Sequence, residues 1–139
     1  MTKLSFKKLA SRDLVATRPT FRIPVSILGI ADSDLVDQYL EVVSQHDEAY
    51  REAQSRFWTD MNALIVMGLK DKEREKEMEM LRCRQMAALV VGWSFEEECT
   101  LDNVAEFLYQ NMNMFEAVNT TCAKDQLFFA VRENFSENE

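Results

Sequence analysis

Glycine and proline are scarce in this chain, three and two in 139 residues. So few turn-forming and helix-breaking residues predict long helices joined by few tight turns. Both prolines, Pro19 and Pro24, fall before residue 25, so the N-terminal part is expected to be built differently from the rest. The three cysteines, Cys83, Cys99 and Cys122, are odd in number, far apart and without a CxxC pair. That argues against a disulfide framework and against a zinc cluster, and for buried or half-buried thiols in a reducing cytoplasm. The longest apolar run, Met86 to Val91, is six residues, far short of the ~20 that span a membrane. Lys3, Lys7 and Lys8 are followed by no unbroken apolar stretch, so a secretory signal is not expected. There is no glycine-rich phosphate loop, no GxSxG, no HExxH and no internal repeat.

What remains is the composition of a globular protein. The apolar fraction is 47%, too high for disorder, and the length is that of one domain, able to bury roughly 68% of its unfolded surface. The expected organisation is a single domain over 1–139: a basic N-terminal segment (1–31), a helical body (32–135) and a frayed tail (136–139). The charge of −8 is uneven: residues 1–31 hold six Lys or Arg against Asp13, a net of +5, and the remainder sums to −13. An acidic body is repelled by nucleic acid and by anionic membrane surfaces, so neither is expected as a partner.

Phe21, Ile23, Val25 and Ile27 alternate with Arg22, Pro24 and Ser26, the period of a half-buried strand. Pro24 cannot donate to a ladder, which places the strand at a sheet edge; a partner strand in residues 12–17 would make a hairpin. From Asp32, a possible N-cap together with Ser33, the period changes. Val36, Tyr39, Val43, His46, Tyr50, Ala53, Phe57, Met61 and Leu64 recur at steps of three and four, one buried face of a helix over residues 34–67. Gly68 and the charged run 70–76 mark a break. A second helix carries Met80, Cys83, Met86, Ala87 and Val90 and is expected to stop near Gly92, with Trp93 and Phe95 anchoring the connector. Thr100 is a good N-cap for a third helix with Val104, Phe107 and Leu108, and Ser94-x-x-Glu97 is an alternative capping box. Asn111-Met112-Asn113 reads as a turn. A fourth helix would bury Phe115, Val118, Cys122 and Phe129. The fold class is therefore mainly α, with a short β element confined to about the first 30 residues.

No constellation points to catalysis. His46 lies on the apolar stripe without an assignable partner or nucleophile. Glu96, Glu97 and Glu98 would point in different directions on a helix and read as its solvated start, not as a metal site. The eight methionines suit an adaptable binding surface or simply a core. No cofactor and no metal is called for, and a protein that binds other proteins is expected in place of an enzyme. Self-association is expected as well. A helix over 34–67 would be ~50 Å long, whereas a compact chain of this size is ~37 Å across. The helix must then break or project, and a kink near Ala53 is the alternative to projection. A projecting stripe of Tyr39, Val43, Tyr50 and Phe57 would be covered by another copy. The edge strand with Phe21, Ile23, Val25 and Ile27 would offer a second contact, and the opposite charges of the two parts would favour head-to-tail packing.

The stretch Met86-Ala87-Ala88-Leu89-Val90-Val91-Gly92-Trp93-Ser94-Phe95, followed by acids, Thr100 and Asn103-Val104-Ala105-Glu106-Phe107-Leu108, resembles the tail assembly chaperones of long-tailed bacteriophages. So do the aromatics Phe128 and Phe129 and the extended segment Phe21-Arg22-Ile23-Pro24-Val25. Gly92, Trp93 and Thr100 match as structural anchors. The turn at Asn111 departs from the pattern, since such proteins often have proline there. The resemblance implies action in the host bacterial cytoplasm during virion assembly, binding of the tape measure protein, and absence from the mature virion. It also implies a possible C-terminally extended form, made by frameshifting, that recruits tail tube protein. The alternative is another oligomerising helical adaptor or regulator.

Overall fold

Residues 39–43, Tyr-Leu-Glu-Val-Val, are apolar at four of five positions and β-branched at two, and that composition suits a strand buried on both faces. The computed structural model, which describes residues 3–130, has them as β2 (Tyr39–Val43), the middle strand of a three-stranded antiparallel sheet. β1 (Thr20–Pro24) lies on one side of it and β3 (Val90–Trp93) on the other. The fold is mainly α, but its β structure is not confined to the first 30 residues. The helix expected over 34–67 is corrected accordingly. Residues 32–38 form a short 3₁₀ turn and bends, with Asp37 at a positive φ of 70°, and the helix begins only at residue 48. Sequence periodicity misled here because Val36, Tyr39 and Val43 satisfy a helical step by coincidence. Leu40 and Val42, off that stripe, are fully buried.

β1 pairs with β2 from Thr20 opposite Val43 to Pro24 opposite Tyr39. Val25 donates to the Gln38 carbonyl at 3.1 Å, so alternate amides from Phe21 onward face β2 and the missing N–H of Pro24 falls on the outer edge. The expected partner segment 12–17 is not a strand: Arg12–Ala16 is a short helix, α1. β3 carries a bulge, for Glu41 faces Gly92 while Val42 faces Val90, and the additional residue is Val91.

Four further helices complete the fold: α2 (Glu48–Val66), α3 (Asp71–Ala87), α4 (Leu101–Gln110) and α5 (Met112–Cys122). α2 ends at Gly68, whose φ of +67° supplies the left-handed residue that closes a helix. α3 returns alongside α2 as a helical hairpin and then packs on α4. α3 stops at Ala87, five residues before Gly92, so Gly92 is not a helix stop. It lies in β3, where an added Cβ would come within 3.2 Å of the Glu41 carboxylate, the movable end of a side chain on the neighbouring strand. α4 and α5 are separated by Asn111 alone, whose Nδ2 donates to the Phe107 carbonyl. α5 ends at Cys122, and the segment that follows is a 3₁₀ turn holding Phe128 buried and Phe129 half-buried. Residues 136–139, expected to fray, lie outside the described residues.

The core joins Leu40, Val42 and Val43 of β2 to Cys83, Met86 and Ala87 of α3, Val104 and Leu108 of α4, and Met114 and Val118 of α5. α5 is tied to the sheet by Asn113, which donates to the Ser26 carbonyl at 2.6 Å, and by the Gln45 amide, which donates to the Cys122 carbonyl at 3.0 Å.

Candidate interaction surfaces

The residues singled out for self-association do not form one outer stripe. Ile23, Val25, Val43 and Tyr50 are buried in the core. Phe21 and Ile27 are half-buried against it. Tyr39 is half-buried beneath the Arg22 guanidinium, 4.1 Å from its ring centroid. Phe57 is half-buried and meets Trp58 edge-on at 5.4 Å. The strand-for-helix change accounts for Tyr39 and Val43, whose directions are set by the pleat of β2; Tyr50 and Phe57 are on α2, as expected, with Tyr50 turned into the core. What stays open is backbone, since the outer edges of β1 and β3 pair with no strand among the described residues.

His46 is likewise not on an apolar face. It is exposed in the loop after β2, its Nε2 3.0 Å from Asp125 and its ring near Phe129. Beside it sits a charged contact the sequence reading missed. Asp47 is almost fully buried and receives Nε and Nη2 of Arg18 at 2.8 and 3.2 Å. It also caps α2, accepting from the Ala49 amide at 3.1 Å. This bond pushes the Arg18 guanidinium further up from its ordinary value. Part of the attraction between basic segment and acidic body is thus used within one chain. Among the described residues no cluster of His, Cys, Asp or Glu has metal-binding spacing, and no helix is long and apolar enough to cross a membrane.

Trp93 sits in β3, half-buried, its Nε1 donating to the Glu97 carbonyl at 2.7 Å. Its ring packs edge-on against Phe95 at 5.1 Å and Phe107 at 5.9 Å. Thr100 caps α4, its Oγ1 accepting from the Asn103 amide at 3.1 Å, while the Ser94 hydroxyl instead bonds Gln38 and the Tyr39 amide. Trp93→Ala is expected to cost about 2 kcal/mol, less than a fully buried aromatic. A denaturant melt should show it, with Trp93→Phe losing only the hydrogen bond, ~1 kcal/mol. Burial pushes all three thiols up, Cys83 to about 11 and Cys122 to about 12. Cys99 is half-buried, so a thiol reagent on the native protein should titrate it first and reach the other two only on unfolding. The fold favours the neutral thiols. Their contribution to stability is therefore complete below ~8.5, where an unfolded thiol ionises, and is lost as pH rises towards about 11 and about 12.

Three surfaces are apolar and exposed. One is the N-terminal arm, the 3₁₀ turn Phe6–Leu9 and α1, which buries no residue and presents Leu4, Phe6, Leu9 and Leu14. The second is the loop after β1, with Leu28 and Ile30. The third is the far end of the α2–α3 hairpin, with Ile65, Val66 and Met67; Trp58, also exposed, lies further back along α2 beside α1. α2 packs chiefly on α3 and is flanked by clefts on both sides. One, of about 1370 Å³, faces α1 and Phe129; the other, of about 660 Å³, faces β3 and the start of α4. The hairpin therefore stands away from the sheet. A charge-sparse stretch would have pointed to its tip, because residues 57–69 contain Asp60 as their only charge.

An exposed apolar arm, open strand edges and an apolar hairpin end are the surfaces that the described residues leave uncovered. The chain belongs to the phage tail assembly chaperone family, whose model matches residues 1–125. No curated protein and no solved structure matches it.

Proposed function

We propose that this chain binds the tape measure protein in the host bacterial cytoplasm, keeps it soluble during tail assembly, and is left out of the mature virion. The observation that supports this most is the family match together with an apolar hairpin tip on an acidic body. A long helical client exposes apolar stripes that aggregate unless covered, and covering them needs no turnover, so the role is non-enzymatic. Co-expression with the tape measure protein of the same phage tests the reading. The client should move from the pellet to the soluble fraction and co-purify with the chain; a client that stays insoluble removes the proposal.

The proposal includes association between copies of the chain, through the unpaired strand edges and the basic arm in place of the buried stripe, and recruitment of tail tube protein by any C-terminally extended form. Light scattering across a concentration series should give a mass above the 16.2 kDa of one chain, falling as salt screens the arm. A constant monomer mass at high concentration contradicts it.

A further inference from the structure

Two exposed segments flank β1, alike in apolar character and opposite in charge. The arm, residues 3–16, carries Lys3, Lys7, Lys8 and Arg12 against Asp13, a net of +3. It shows Leu4, Phe6, Leu9 and Leu14 to solvent, with Phe6 78% exposed. Its two helical turns, of four and five residues, bury nothing, and helices so short have little stability without packing. The loop after β1, residues 26–38, holds Asp32, Asp34 and Asp37 and no base, a net of −3. It exposes Leu28, Ile30 and Val36, with Leu28 81% exposed.

The loop is a built platform. Ile27 and Leu35 pack on the core, and the Ser26 carbonyl accepts from Asn113. The amides of Ile30, Leu35 and Gln38 donate to the carbonyls of Ile27, Asp32 and Leu35, folding it into successive turns. Little is therefore left to order when a partner binds there. The two segments leave opposite ends of the β1–β2 ladder, the arm where Thr20 faces Val43 and the loop where Pro24 faces Tyr39. These ends are ~14 Å apart at ~3.4 Å per residue. The Arg18–Asp47 pair, and the cleft that Arg12, Leu14 and Val15 share with α2, place the arm beside that helix. α2 packs chiefly on α3. A chain's arm is thus kept from its own loop and left to reach another copy's.

The other acidic stretch, Glu96 to Glu98, is a poorer match for the arm. Asp102 beyond it is already paired with Arg84 at 2.8 Å, and the cleft beside Leu101 is lined by Arg56 and Arg84, which repel a basic segment. The −8 of each copy does not forbid approach. Charges are screened beyond ~8 Å at physiological salt, so those brought into contact decide.

We propose that the arm of one copy docks on the 26–38 loop of the next, its cations against Asp32, Asp34 and Asp37 and its apolar side chains against Leu28 and Ile30. This rests on the reading of the chain as self-associating. The two surfaces differ, so the contact is heterologous and repeats head to tail, giving a ring or an open array in place of a two-fold dimer.

The test uses two charge exchanges in the full chain, Lys7→Glu/Lys8→Glu on the arm and Asp32→Lys/Asp34→Lys on the loop. All four side chains are exposed, so denaturant melts should match wild type. By light scattering, each variant alone should associate at least ~10-fold more weakly than wild type. The loop variant is the sharper of the two. Its overall charge falls from −8 to −4, two units per exchange, so general repulsion alone would make it associate more strongly. An equimolar mixture should recover the wild-type mass, because every arm then finds a loop of opposite sign; a loss of folding would not be rescued this way. If wild type associates and either variant alone keeps its mass, the arm–loop contact is overturned while self-association stands. A mixture that stays as weak as its components also overturns it. A wild type that remains at 16.2 kDa at high concentration removes the self-association reading itself, and this contact with it.

Discussion

Leu40→Ala is expected to destabilise the protein by ~3 to 5 kcal/mol, the range for truncating a buried leucine that leaves a cavity. Leu40 is fully buried in the central strand, paired with Ile23 on one side and Trp93 on the other. Neither neighbouring strand can move in to fill the space without breaking its ladder to β2, so collapse around the cavity is limited. The result also separates two structures of the same segment. Were residues 34–67 one helix with its buried stripe at Tyr39, Val43 and Tyr50, Leu40 would sit at the stripe's half-exposed margin and its truncation would cost only ~1 kcal/mol. Val42→Ala, at the other buried position off that stripe, should follow with a smaller loss of ~1 to 2 kcal/mol. A loss of unfolding free energy of only a few tenths of a kcal/mol for Leu40→Ala would contradict its burial in the central strand.

The second large effect is at Asp47, where replacement by alanine should cost about 2 to 3 kcal/mol. One part, ~1 kcal/mol, is the lost cap on α2. The rest is the bidentate pair with Arg18. It lies below the usual cost of breaking a buried pair because Arg18 is about half exposed and regains water. Arg18→Ala is the more informative partner variant. It leaves a carboxylate that is 3% exposed with only the helix N-terminus for company, and so should cost as much as Asp47→Ala despite removing a surface residue. Asp47→Asn should lose less, since asparagine caps well and only the charge is gone. A double-mutant cycle gives the coupling directly; a value near zero would mean the pair does not hold the N-terminal segment to α2.

That pair shows how little the charge of the basic segment says about where each cation goes. Its charge was visible in composition, and head-to-tail attraction between copies followed. Arg18 reaches Asp47, twenty-nine residues away, only because a turn with positive φ at Arg18 and the β1–β2 pairing bring the two together. Nothing local in the sequence encodes that proximity. Arg22 lies over the Tyr39 ring, and the other four cations, Lys3, Lys7, Lys8 and Arg12, stay exposed on the arm.

Several features were legible from the residues alone, all of them where local and tertiary preferences agree. The alternation from Phe21 to Ile27 and Pro24 dictate an edge strand, although β1 stops at Pro24 and leaves Val25 and Ile27 beyond it. The Thr100 hydroxyl dictates the start of α4, and Gly68 the end of α2, because cap and left-handed geometry are satisfied by neighbours in sequence. The resemblance carried by residues 86–108 reached the family through the same punctuation. The tertiary structure decided the rest. Residues 39–43 fit two periods, and only the ladders from β1 and β3 satisfy their backbone while burying both faces. Val90 fits the end of a helix running to Gly92, yet with Gly92 and Trp93 it extends as β3 because β2 offers these residues partners. The outward face of the hairpin was equally hidden: Trp58, Ile65 and Val66 read as a continuation of helix. They become a surface only because α2 has α3 on one side and open clefts on the others.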